Sequence, residues 1–118
     1  MTSRSAIFKY VEEKYQAKPD YPWSNYPDYA VFRHDGNDKW FGLVMSVPRE
    51  KLDLEGDGAV EVLNVKSDAK QVGSLRQMKG VMPAYHMNKE HWVSVLLDGS
   101  VSLSEIKRLL DESFLLTK

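Results

Sequence analysis

Two β-rich runs around one short turn constrain this chain most. Tyr29 to His34 and Lys39 to Val47 flank Asp35-Gly36-Asn37-Asp38. Glycine and asparagine tolerate the positive φ that a tight reversal needs. The runs therefore form a hairpin, which commits the fold to antiparallel pairing. In the second run Phe41, Leu43, Met45 and Val47 alternate onto one face, and Trp40, Gly42, Val44 and Ser46 take the other. The first face is the greasier, as in a sheet covered on one side. Pro48 ends this strand, and Ala59 to Lys66 reads as a third. Val81 and Met82 form a short extended piece between Gly80 and Pro83, and Tyr85 to Glu90 is a turn. His91 to Leu97 is a strand with Val93, Val95 and Leu97 alternating, closed by Asp98-Gly99-Ser100.

Helical spacing appears in three places. Ile7, Phe8, Val11 and Tyr15 share one face of a helix from about Arg4 to Tyr15, with Ser3 as N-cap. Proline at 19 and 22 ends that pattern, because proline lacks an amide proton and restricts its predecessor. The loop that follows, to Pro27, carries Trp23 and Tyr26, read as a lid over the core. Ser67 caps a second helix to about Met78, with Ala69, Val72 and Leu75 as its stripe. The last helix has the best-marked start: Ser102 and Glu105 fit a capping box, and Val101 and Ile106 fit a hydrophobic staple. Its stripe is Ile106, Leu109, Leu110 and Phe114, with Ser113 inside it as a small residue for close packing. The order helix, three strands, helix, one or two strands, helix predicts an α+β fold.

At 118 residues, 42% hydrophobic and 28% charged, the chain suits one domain over 1–118. A chain this size buries roughly two-thirds of its unfolded surface, enough for a core without staples. There is no cysteine, which excludes disulfides, thiolate nucleophiles and thiolate-held metals. No apolar run nears the roughly 20 residues of a membrane span, and no signal-peptide core follows Met1. A cytoplasmic monomer without cofactor or membrane contact is expected.

Net charge is −1, which excludes a globally basic nucleic-acid binder and leaves room for a local patch. From Arg49 to Glu61 the net is −3, and from Lys66 to Lys89 it is +4. Asp53, Glu55, Asp57 and Gly58 match positions one, three, five and six of a calcium loop, but position twelve is Asn64, not a bidentate glutamate, and the flanks read as strands. A solvated acidic turn is expected. His34, His86 and His91 show no metal-pair spacing. No GxSxG, GxxxxGK[ST] or GxGxxG motif occurs, so no enzyme is expected. What remains is basic and aromatic: Lys66, Lys70, Arg76, Lys79, Tyr85, His86, Lys89 and His91. Lysine and arginine neutralise phosphates, and aromatics stack or wedge. Such a patch requires these cations to share a face.

The run Pro83-Ala84-Tyr85-His86-Met87-Asn88-Lys89-Glu90-His91-Trp92 precedes a strand, the Leu97-Asp98-Gly99 turn and a helix bearing Ser113-Phe114. With Trp23 after Pro22 and Lys39-Trp40-Phe41 after the hairpin, it resembles the MmcQ/YjbR family over nearly the whole chain. That resemblance implies a CyaY-like two-layer sandwich: a twisted, mainly antiparallel sheet with helices packed on one face. It also implies a double-wing DNA-binding arrangement, in which His86, Asn88, Lys89 and His91 form a DNA-contacting turn. The structural reading of the same run has Asn88 closing the turn, His91 anchoring it and Trp92 filling the core. Fold similarity to frataxin-like iron proteins raises iron binding, but Lys9 and Lys14 beside Glu12 and Glu13 break the acidic helix that would need. The expected partner is double-stranded DNA, and the alternative is a protein partner held by the same surface or the Trp23 loop.

Overall fold

A computed structural model describes residues 3–118. The described residues form three α-helices and five strands: α1 Arg4–Tyr15, β1 Ala30–Arg33, β2 Trp40–Pro48, β3 Ala59–Lys66, α2 Ala69–Leu75, β4 Val81–Pro83, β5 Trp92–Leu96 and α3 Leu103–Thr117. A 3-10 turn, Arg49–Leu52, follows β2. The strands make one antiparallel sheet in the order β1-β2-β3-β5-β4. The first three form a meander. β5 then inserts between β3 and β4, so α2 carries the chain past it to the sheet's edge. This is the α+β architecture read from the sequence.

All three helices lie on one face. Ile7 and Val11 of α1, Val72 and Leu75 of α2, and Ile106, Leu109 and Leu110 of α3 join one buried cluster with Phe32, Phe41, Leu63 and Val95. Each fully buried side chain of this size contributes about 1.5–3 kcal/mol relative to exposure. The opposite face is not bare, as the sequence pattern implies, but carries a second core. Val31, Leu43, Met45, Val47, Val60, Val62 and Leu96 are buried there under loops that bring in Trp23, Tyr29, Tyr85 and Met87. Among the described residues no helix is long and apolar enough to cross a membrane.

One irregularity reassigns two aromatics. Phe32 pairs with Gly42, but Arg33 pairs with Trp40, so Phe41 is an extra, bulged residue. A one-residue insertion flips the alternation beyond it. Phe41 therefore joins the helix-side core rather than Leu43 and Met45, and Trp40 packs on the loop-covered face.

The helix ends follow local chemistry. Ser3 Oγ accepts the Ala6 amide at 3.3 Å, and Gln16 in the left-handed region closes α1 through Glu12. Ser102 Oγ accepts the Glu105 amide at 3.2 Å, but the Glu105 carboxylate pairs with Arg108 instead of returning to Ser102. The cap of α2 is Asp68, not Ser67: Asp68 Oδ1 accepts the Lys70 amide at 2.9 Å. Ser67 is instead drawn into the sheet end, its amide donating to the His91 carbonyl at 2.8 Å. α2 also stops at Leu75, because Gln77 and Met78 tighten to three-residue bonds on Ser74 and Leu75. Asp111 ties α3 to α1, accepting from Tyr10, Tyr15 and Lys14. Burial raises the Asp111 carboxyl, yet the hydrogen bonds from Lys14, Tyr15 and Tyr10 outweigh it and hold it below its ordinary range.

Candidate functional site

The segment between β4 and β5 is pinned from below by two buried polar side chains. Ser94 Oγ accepts the Tyr85 amide at 2.9 Å and donates to Asn64 Oδ1 at 2.5 Å. Asn64 Nδ2 donates to the Tyr85 carbonyl at 2.9 Å. Asn64 and Ser94 are fully buried, and each makes bonds that satisfy it. Asn64 is thus a strand residue committed to this network, not the last position of a calcium loop.

Beyond Tyr85 the chain reverses at His86, whose φ is 62°. The His86 ring lies 4.0 Å from that of Tyr85, centroid to centroid. Asn88 then organises the turn: its Oδ1 accepts the amides of Glu90 at 2.7 Å and His91 at 3.2 Å, and its carbonyl accepts from Trp92. The Asn88 acceptor is therefore spent on the loop itself. His91 holds Ser67 through its carbonyl, leaving its ring exposed. Trp92 is half-buried rather than a core filler, because it sits at the first position of β5 opposite Lys66.

This turn lies at one end of the sheet. Lys66 ends β3 there, and Lys70 follows in the first turn of α2. Lys89 and His91 arrive on the loop, so Lys66, Lys70, Asn88, Lys89 and His91 are gathered. Arg76 and Lys79 are not. α2 runs away from this end for about 10 Å at 1.5 Å per residue. It leaves Lys79 beside Ser100, Val101 and Glu105, at the far end of β5. Asp68 and Glu90 also belong to the gathered end, so three lysines there face two carboxylates. The excess counted along the sequence from Lys66 to Lys89 shrinks to about one charge in space.

His86 points the loop toward a different feature. Trp23, Tyr26, Tyr29, Trp40, Leu43, Met45, His86 and Met87 line a groove of about 310 Å³ on the helix-free face. The Trp23 ring stands nearly perpendicular to Tyr29 at 84° and to Trp40 at 82°, with centroids 6.0 and 5.5 Å away. Tyr26, half exposed, stacks on Tyr29 at 4.7 Å. The Trp23 loop is fixed to edge strand β1 by paired 2.8 Å backbone bonds between Asp20 and Val31. The Arg33 guanidinium covers Trp40 at 5.5 Å while bound to Asp20 at 3.0 Å. Burial, with Tyr85, Tyr26 and Asp28 nearby, raises the Tyr29 hydroxyl pKa, so it stays neutral. The lining holds no carboxylate, ammonium or guanidinium. The sequence signal for this groove is Trp23 and Tyr26 within the loop that ends at Pro27. Trp40 had no such signal, since only the bulge brings it here.

A wider, polar hollow of about 790 Å³ lies between the end of α1, the β1–β2 turn and the end of α3. His34 is buried on its wall, between Phe41 and Phe114. Its Nε2 lies 2.7 Å from Thr117 Oγ1. Thr117 gives its hydroxyl proton to the Ser113 carbonyl at 2.8 Å, which leaves its oxygen free to accept from His34 Nε2. The three histidines thus occupy separate places, and among the described residues no three His, Asp or Glu side chains group to hold a metal ion.

The chain is 48% identical to YyaQ of Bacillus subtilis over 118 residues, all of both chains. It is 30% identical to YjbR of Escherichia coli K12 over 99 residues, 83% of this chain and 75% of that one. Both relatives carry the description uncharacterized. A Pseudomonas syringae protein of known crystal structure superposes with a TM-score of 0.96 at 50% identity, covering 98% of this chain and 99% of the other. A Deinococcus radiodurans crystal structure superposes at 0.73 with 26% identity, covering 98% and 78%. The sequence model of the YjbR family matches residues 12–116, and with these relatives it places the chain in the YjbR family.

Proposed function

We propose that this chain is a non-enzymatic nucleic-acid-binding module that works from the Lys66 end of its sheet. The observation that carries the reading is that one loop, residues 85–91, serves two chemistries. Its far half presents Lys89 and His91 beside Lys66 and Lys70. Its near half puts His86 and Met87 into the aromatic groove. A nucleic acid is the ligand class that offers both an anionic backbone and flat rings. The groove lining supports binding rather than catalysis, since His86 has no carboxylate there to orient it as an acid or base.

The test is fluorescence anisotropy of a labelled oligonucleotide at several salt concentrations, with wild type and a Lys66→Ala/Lys89→Ala variant. Each lost phosphate contact lowers the salt slope by roughly one. Salt-sensitive binding weakened in the variant supports the reading, and no binding at low salt overturns it. A protein partner is the competing reading, favoured by the uncharged, methionine-bearing groove. It predicts little salt dependence and an energy centred on Trp23 and Trp40.

A further inference from the structure

From the neutral aromatic groove beside the cationic loop we infer that the ligand is single-stranded, with one unpaired base seated against Trp23 and Trp40. The inference rests on the nucleic-acid reading and names the form of the strand.

Charge limits the duplex first. Backbone-held binding of B-form DNA grows with the number of phosphates that lysine and arginine neutralise. Here Lys66, Lys70 and Lys89 are opposed by Asp68 and Glu90, while Arg76 caps the far end of α2 and Lys79 lies beyond it. The phosphates alone cannot supply the binding, so the rings must.

The groove selects the ring. A charged guest buried against its lining would find no free opposite charge, since the Arg33 guanidinium over Trp40 is already paired with Asp20, and would lose its hydration. A nucleobase is flat, uncharged and edged with hydrogen-bonding groups. The near-perpendicular walls at Trp23 let it stack on one indole while its edge meets another. The His86 imidazole at the mouth offers a polar partner to that edge. A volume of about 310 Å³ has room for a nucleobase. Tyr26, stacked on Tyr29 and half exposed, continues the platform outward. The loop joins the two requirements: a base held beside His86 and Met87 has its phosphates led along Asn88 to Lys89 and Lys66.

The experiment compares a short oligothymidylate, an abasic oligonucleotide of equal length and the corresponding duplex. Binding is read by quenching of tryptophan fluorescence at low salt. Wild type is set beside Trp23→Leu and Tyr26→Ala, with circular dichroism confirming that each is folded. Tyr26 is half exposed, so its variant keeps the test valid should Trp23→Leu unfold. The expected result is that oligothymidylate binds roughly tenfold tighter than the abasic strand or the duplex, and that both variants shrink this difference. Equal, salt-sensitive binding of the three would overturn the base-in-groove inference and leave the sheet-end reading standing. Binding of none would overturn both, and quenching by an apolar peptide alone would assign the groove to a protein partner.

Discussion

Ser113 donates its hydroxyl to the Phe41 carbonyl at 2.7 Å. The same oxygen accepts the Lys66 amide at 2.9 Å. In the β2–β3 register, where Leu43 pairs with Asn64, Phe41 and Lys66 would be the next hydrogen-bonding partners. The bulge at Phe41 opens that rung, and a helix side chain fills it. Ser113→Ala leaves a buried carbonyl and a buried amide unpaired, a loss of about 1–3 kcal/mol. Urea denaturation measures it as a lowered midpoint at unchanged slope. Hydrogen exchange at the Lys66 amide rises at the same time.

This bond shows where sequence reading stops. Ser113 stands out within the last helix's stripe as a small residue, and the structure shows that its hydroxyl matters as much as its size. The strands and the limits of α1 and α3 were legible because each depends on near neighbours, Ser3 with Ala6, Ser102 with Glu105 and the glycine-bearing turn at 35–38, whereas the cap and end of α2 were not, because Ser67 is claimed by His91 across the sheet. The bulge depends on a partner strand, so the side taken by Trp40 and Phe41 was not. The candidate site divided likewise. The loop run 85–91 was readable as a unit, but the ends of α2 lie at opposite ends of the sheet, and no spacing along the chain reveals that Lys66 and Lys79 part company.

Gly80 sits where α2 meets the start of α3. Its φ is +89°, and a Cβ there would lie 2.7 Å from Ser100 Cβ and 2.8 Å from Val101 Cγ2. Gly80→Ala therefore combines left-handed strain, about 1–2 kcal/mol, with overpacking, about 1–3 kcal/mol. The Gly80 carbonyl also accepts the Leu96 amide at 2.8 Å, so a shift to relieve the clash disturbs β5. Thermal unfolding should drop by at least several degrees, and an unchanged midpoint would contradict this packing.

His34 gives stability a dependence on pH near neutrality. Burial lowers its pKa from the ordinary value of 6.5, and Lys118 and Lys39 push the same way, against a backbone hydrogen bond at Phe114. The unfolded chain then takes up the proton first. The associated stability is fully present above pH 6.5 and declines as pH falls below it toward the folded pKa. His34→Gln keeps a donor for Thr117 and cannot titrate. Its melting temperature should be flatter than that of wild type as pH falls below 6.5. Asp98, Glu105 and Asp111 have lowered values, so their contribution is lost in a separate, more acidic window, below about 4.5.

The separation of the two sheet ends makes the sharpest functional prediction. Lys66, Lys70 and Lys89 stand with the loop at one end, while Arg76 caps the far end of α2 and Lys79 stands by Ser100 and Glu105. Five cations that look equivalent along the sequence should therefore behave as two groups. Lys70→Ala or Lys89→Ala should weaken oligonucleotide binding and lower the salt slope by roughly one each. Arg76→Ala and Lys79→Ala should leave both unchanged, since a phosphate held at one end lies more than a Debye length of about 8 Å from a cation at the far end of α2. Anisotropy titrations of the four variants decide it. Equal losses from both groups would mean that the strand crosses the helical face, and the site would have to be redrawn along α2.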